Sequence, residues 1–408
     1  MPRKIIFKAV ALMLLIVVIG TKCNNVVAAN PGTIVVPSPE YETIQKAINA
    51  ASPGDVIEVT HGTYYENLIV NKSVSIIGED PADTIIDGGG EGTVVDIIRS
   101  NVVVSGFTLQ NGKQGDISYC GISVFRSNSV VVNNTLLRNN YYGLELANSS
   151  NCKIFSNVIM NSSYAGVYVH DSSSNNTFFQ NTIEDNVIGL LAYSPSNTFY
   201  HNNFINNTNQ YSALPPVIHM DNGLEGNYWS DYNGSDTNLD GIGSSAFNGD
   251  NRPLTGMFTN FTVNYGTQIY SLSTICNSTI SNFEFNESGG KIGFDVIGRN
   301  GTLGFCRIAM PLTLIQNKST ILLDGDSLQP LRNWNTSTYN YRCFLYDNTG
   351  VTRKITIELK LPEGGTPPSF LVPALIAASL VAIVLVSIIL MRGSLGKEIR
   401  SKFLKRHG

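Results

Sequence analysis

The sequence predicts an all-β protein built on a parallel β-helix, with a capping helix before it, a small β-sandwich behind it and one apolar helix near the C-terminus. Three observations lead there. Glycines 121, 143, 166 and 189 recur at intervals of 22 and 23 residues, a period that belongs to solenoids and arrays. After each glycine, apolar and polar residues alternate. Asparagine, a poor strand former, returns once per period at Asn134, Asn157, Asn181 and Asn203.

The columns define the coil. Ile122, Leu144, Val167 and Leu190 follow the glycines, and Val124, Leu146, Val169 and Ala192 come two positions later. Ser123, Glu145, Tyr168 and Leu191 lie between them. A period of two is a strand with one buried face. Further strands flank the asparagine, through Val131, Ile154, Phe178 and Tyr200 before it and Leu136, Ile159, Ile183 and Ile205 after it. So many short strands per period leave no room for a helix, which excludes leucine-rich and helical repeats. Each strand then pairs with its equivalent about 4.8 Å above. Asparagines stacked at that spacing can pass an amide hydrogen bond from rung to rung and tolerate the left-handed corner of a coil. The asparagine column reads as structural.

From the N-terminus, residues 1–29 carry Arg3, Lys4 and Lys8, the apolar run Ala9–Ile19 and small residues at Ala28 and Ala29, the layout of a secretory signal. The solenoid with its cap is placed at 30–256. Within it Tyr41–Ser52 sets Ile44, Ala47, Ile48 and Ala51 at helical spacing, suited to covering the open end of the first coil. Asn101–Gly112 parallels Ser129–Asn140, with an inserted loop between. Longer alternating strands fill 257–361 and predict the sandwich; 362–369 is a linker. Phe370–Met391 is uncharged and long enough to span a bilayer. The tail 392–408 is basic, so the positive-inside rule places it in the cytoplasm and residues 30–366 outside the cell.

Charged residues are only 14% of the chain and net charge is −4, which leaves no electrostatic footprint for nucleic acid. Glycosylation sequons lie at Asn71, Asn133, Asn148, Asn161, Asn175, Asn206, Asn233, Asn260, Asn277, Asn286, Asn300, Asn317 and Asn335, all on the external side. Beyond the signal remain Cys120, Cys152, Cys276, Cys306 and Cys343. An odd number leaves at least one unpaired; one bridge among the last three is expected, with Cys120 and Cys152 as buried small residues.

The motifs "TIQKAINAASPGDVIEV", "GTYYENLIVNKSVSIIGED", "TIIDGGG" and "GNYWSDY…DGIG…PL", in that order around the phased coils, resemble the NosD-like right-handed parallel β-helix proteins, common as archaeal surface proteins. The likeness covers about residues 33–256. It implies a carbohydrate-binding or carbohydrate-processing solenoid; the namesake assists maturation of a copper enzyme, but His61, His170, His201 and His219 form no Met/His cluster that could carry copper ligands over.

Carboxylates scatter across the aligned coils: Glu145, Asp171, Glu184 and Asp185 fall in different columns, against the paired carboxylates that glycan cleavage needs. The metal candidate is "DTNLDG", where Asp236, Asn238 and Asp240 precede Gly241 with the alternation of a calcium loop, although Phe247 stands where a bidentate Glu would close it. The expectation is a membrane-anchored, glycosylated surface protein that binds polysaccharide or envelope glycans without catalysis. The rival is an anchored polysaccharide lyase, hydrolase or epimerase, and its mark would be converging carboxylates beside a basic residue in a polar groove.

Overall fold

The computed structural model describes residues 31–115, 119–213, 219–315 and 319–359. The signal, the linker, the apolar helix, the basic tail and the sequon at Asn317 lie outside the described residues.

Residues 33–229 wind into a parallel β-solenoid of three sheets, about eight turns in all. The first sheet runs from Thr33–Val36 through Val131–Asn133, Lys153–Phe155 and Thr177–Phe179 to Thr198–Tyr200. The second includes Leu136–Arg138, Val158–Met160, Thr182–Glu184 and Asn203–Ile205. The third includes Val95–Ile97, Cys120–Phe125, Tyr142–Ala147, Ala165–Val169 and Ile188–Ala192. Like residues stack along the axis, so Ile159, Ile183 and Phe204 succeed one another inside. Inner rings lie flat on each other, Phe178 on Phe199 at 4.4 Å and Phe204 on Trp229 at 4.3 Å.

The helix Ile44–Ala50 buries Ile44, Ala47 and Ile48 against the first coil. Thr43 caps its start, and the Glu66 carboxylate accepts from Ile44 N and Gln45 N at 2.9 Å each, satisfying amides that a helix start leaves open.

The ladder is real, with its register corrected at both ends. Asn157 Nδ2 donates to Asn181 Oδ1, Asn181 to Asn202 and Asn202 to Asn227, each at 2.9 Å. Each of these amides also donates to a carbonyl of the preceding coil. Asn134 is not in the column: it holds the left-handed corner at φ 50°, and Thr135 takes the rung slot, donating its backbone amide to Asn157 Oδ1. Asn203 is not in it either. In the tandem Asn202–Asn203 the first residue stacks, because the preceding corner is shorter than in the coil before. The flanking columns slip with them, so Val132, Leu137, Phe199 and Phe204 point inward rather than Val131, Leu136, Tyr200 and Ile205. Two further ladders run in parallel, through Asn176 and Asn197 and through Asn186 and Asn207. The main ladder ends on a carboxylate: Asp250, fully buried, accepts from Asn227 N at 2.7 Å and Trp229 Nε1 at 3.2 Å.

Residues 257–359 form two five-stranded antiparallel sheets around a shared apolar cluster that includes Leu272, Phe294, Ile308, Phe344 and Ile357. All five described cysteines are free and buried in this structure. Every described sequon asparagine is exposed except Asn133, which is buried and whose amide finds no partner. A glycan at Asn133 is incompatible with this fold.

Candidate functional site

The outward face of the third sheet gathers the chemistry. Its register aligns Asp96, Ser123, Glu145, Tyr168 and Leu191 in one outward column. Two carboxylates therefore do share a column, contrary to the scatter read from the aligned coils. Asp96 escapes that alignment because the inserted loop after Gly112 stretches its coil and hides the period; the alternation of Val95, Asp96 and Ile97 was the available signal.

Glu145 is the hub. His170 Nε2 lies 2.7 Å from its Oε1, and the Cys120 thiol donates to Oε2 at 3.2 Å. The Glu145 side chain is 12% exposed and that of His170 is 32%, so the pair faces solvent through the imidazole. Burial and the charge of Glu145 push the Asp96 carboxyl up, against a hydrogen bond from Ser123. Burial likewise pushes the Cys120 thiol and the Tyr168 phenol up. Cys120 is therefore a protonated donor at this site, not a thiolate.

Tyrosines wall the cluster. Tyr141 and Tyr164 stack at 5.4 Å, Tyr142 meets Tyr164 edge-on at 5.6 Å, Tyr168 lies 5.0 Å from Tyr142 and 4.0 Å from the His170 ring, and Tyr193 closes the row. At the corner leading into this face, Asn111, Asn139 and Asn161 all take left-handed backbone conformations. With Gly89, Gly90, Gly112 and Gln114 they line an open groove of about 650 Å³, two or three residues along the chain from Tyr141 and Tyr164. The row on the first sheet is different. Phe155, Phe179 and Tyr200 stack within 10° of parallel, so their faces cover one another and only edges meet solvent.

With this geometry in place, residues 32–234 match the family model described as NosD, periplasmic copper-binding protein. The solenoid is NosD-like over just under half of the chain. Among solved structures it is similar to a tailspike protein from an Acinetobacter baumannii bacteriophage, a capsular polysaccharide depolymerase, at 10% identity over 81% of this chain and 85% of that one, with a TM-score of 0.34. It is also similar to the pectin methylesterase of Aspergillus niger, at 15% identity over 49% of this chain and 76% of that one, with a TM-score of 0.29. Scores at this level transfer neither site nor activity. No curated protein matches the chain.

The copper in the NosD description does not fit the residues here. Among the described residues no group of three His, Cys, Asp or Glu side chains is placed to hold a metal ion; at Glu145 the carboxylate oxygens are already taken by His170 and Cys120. His170 and His201 each spend Nε2 on a glutamate.

The loop "DTNLDG" of this NosD-like solenoid lies against the C-terminal domain. Asp236 accepts from Asp240 N at 3.2 Å and Gly241 N at 2.7 Å; Asp240 accepts from Ile242 N at 2.9 Å and Asn238 Nδ2 at 2.8 Å. Each carboxylate oxygen thus has an internal donor. Two guanidinium groups add to them: Arg332 Nη1 stands 3.6 Å from Asp240 Oδ2 and donates to Asn238 O, and Arg307 Nη1 donates to Asp240 O at 3.0 Å. A calcium ion would have to displace these partners. Asp236→Ala with Asp240→Ala is expected to lower the melting temperature equally with and without millimolar calcium. A calcium-induced rise in the parent, absent from the double variant, would assign the loop to the metal.

Proposed function

We propose that this NosD-like protein is a membrane-anchored surface protein that binds glycan chains along the third sheet, displayed outside the cell by the apolar segment 370–391. One observation carries the reading: a five-tyrosine wall crosses three successive coils beside a groove edged by Asn111, Asn139 and Asn161, on the same face as the Glu145–His170 pair. Sugars present apolar C–H faces and a rim of hydroxyls; aromatic rings suit the first, and asparagine side chains with carboxylates suit the second. The face extends along the solenoid axis, as a polymer requires.

Tyr164 is the most exposed of the ring set, at 37%. Tyr164→Ala is expected to weaken glycan binding about tenfold, roughly 1.4 kcal/mol, while Phe179→Ala on the first sheet leaves it unchanged. A glycan array followed by calorimetry on the best ligand checks both. Equal effects would move the ligand off the third sheet.

A second reading is favoured by the shared column of Asp96 and Glu145. Two rungs separate their backbones, about 9.6 Å, close to the spacing of carboxylates that cleave glycosidic bonds with inversion. Burial pushes the Asp96 carboxyl up, while Glu145 is hydrogen-bonded to an imidazole, so the two carboxyl groups sit in unlike surroundings. Turnover of a bound oligosaccharide that vanishes in Glu145→Gln, with binding retained, would decide for catalysis; binding without turnover in the parent decides for the first reading.

A further inference from the structure

Cys276 ends the strand Gln268–Cys276, and Cys306 lies within Leu303–Pro311. The two strands pair antiparallel with Cys276 directly opposite Cys306. The hydrogen bonds fix the kind of pair. Asn277 N donates to Phe305 O at 3.2 Å, so the bond joins the residue after Cys276 to the residue before Cys306. That is the pattern of a non-hydrogen-bonded pair, whose Cα atoms approach to about 4.5 Å with side chains closest together. A disulfide accepts Cα separations of about 4.4–6.8 Å.

Both side chains enter the same apolar cluster between the two C-terminal sheets. Cys343 does not. It is opposite Arg307, on the other face of the sheet, and packs with Leu254, Phe258 and Ile275. Cys120 and Cys152 are in the solenoid, Cys120 donating to Glu145 and Cys152 inside the coil. Alternation alone therefore selects one pair from five cysteines.

We infer that Cys276 and Cys306 are joined by a cross-strand disulfide when the protein folds in an oxidising compartment, with Cys120, Cys152 and Cys343 remaining thiols. The reaction needs a disulfide oxidant such as oxidised glutathione. One cysteine thiolate attacks the glutathione disulfide and expels a glutathione thiolate. The second cysteine then attacks the mixed disulfide and expels the other. Two protons and two electrons leave the protein, and two reduced glutathiones form. Both side chains are buried in the folded protein, and burial pushes the Cys306 thiol up. Oxidation accordingly precedes closure of the two sheets.

The bridge would act where the two parts of the molecule meet. Ile275 and Arg307, the neighbours of the two cysteines, point to the opposite face and contact the solenoid side. A covalent link at 276–306 ties together the two strands that carry those contacts.

The test uses the full-length chain in detergent, in two arms. One is produced with export into an oxidising compartment; the other is unfolded with reductant and refolded in a glutathione redox mixture. Each is denatured and alkylated without reduction, then mapped by mass spectrometry. The expected result is Cys120, Cys152 and Cys343 alkylated, and a single 276–306 cross-linked peptide 2 Da lighter than its reduced parts. Reduction should lower the melting temperature by several degrees, a difference retained in Cys343→Ser and lost in Cys276→Ser. Alkylation of both Cys276 and Cys306 in the glutathione arm, or a link through Cys343, would overturn the inference.

Discussion

Ile183→Asp is expected to destabilise the solenoid by about 5 kcal/mol, enough to unfold a marginal domain. Ile183 is fully buried and stacks between Ile159 below and Phe204 above. Losing its buried surface costs roughly 2–3 kcal/mol, and a carboxylate enclosed by apolar rungs has no partner to offset its desolvation. The neighbouring position shows how sharply the two faces differ. Glu184 already carries a carboxylate one residue on and points outward, where burial raises its pKa but leaves it half in solvent. Tyr168→Asp, on the outward column beside Glu145, should cost far less, about 1 kcal/mol of packing and like-charge repulsion. Urea unfolding of the two variants checks the register. Equal losses would mean that the in/out register is wrong.

The interior of the coil was legible because a period of two admits only two assignments, and buried β-branched and aromatic residues choose between them. Ile159 and Ile183 needed nothing more. Register between coils was less legible. The left-handed corner and the ladder slot both favour asparagine, for different reasons, and they are adjacent. In "VNNT" the second asparagine takes the corner and threonine takes the slot; in "HNNF" a histidine takes the corner and the first asparagine the slot. Composition cannot separate these, whereas stacking distance can. The candidate site was harder still. Glu145, His170, Asp96 and Cys120 come from four coils and meet only after the inserted loop is discounted, so no local spacing announces them. Asp236, Asn238 and Asp240 show the reverse case. Their alternation is real, but the cations that face it are arginines about 70 and 90 residues downstream, beyond any local motif.

Arg307→Met is expected to loosen the joint between the solenoid and the C-terminal domain by about 3–5 kcal/mol, the usual loss when one partner of a buried ion pair is removed. Arg307 is 2% exposed. Its Nη1 lies 2.8 Å from Glu225 Oε1, and its guanidinium lies over the Tyr341 ring. On the other oxygen of Glu225, His201 Nε2 stands at 2.7 Å, and the His201 ring stacks on Phe258 at 4.0 Å. Asn203, displaced from the ladder, grips the Phe258 backbone through both amide atoms, at 2.9 and 2.7 Å. Burial pushes the Glu225 carboxyl up, but the His201 and Arg307 contacts outweigh it and hold the group at about 2, against an ordinary 4.5. A depressed carboxyl stabilises the fold above its unfolded pKa, so this contribution is complete above about pH 4.5. It is lost as pH falls toward 2, and amounts to roughly 3 kcal/mol. Asp250 has the opposite sign. Burial raises it to about 6, so its contribution is present below about pH 4 and fades as pH rises through 6. Stability should therefore peak between pH 4 and 5 and fall on both sides. Glu225→Gln should flatten only the acid limb, and Asp250→Asn only the limb between pH 4 and 6. Melting curves from pH 2.5 to 7.5 check this. An acid limb unchanged in Glu225→Gln would mean that some other carboxylate, and not this joint, governs acid unfolding.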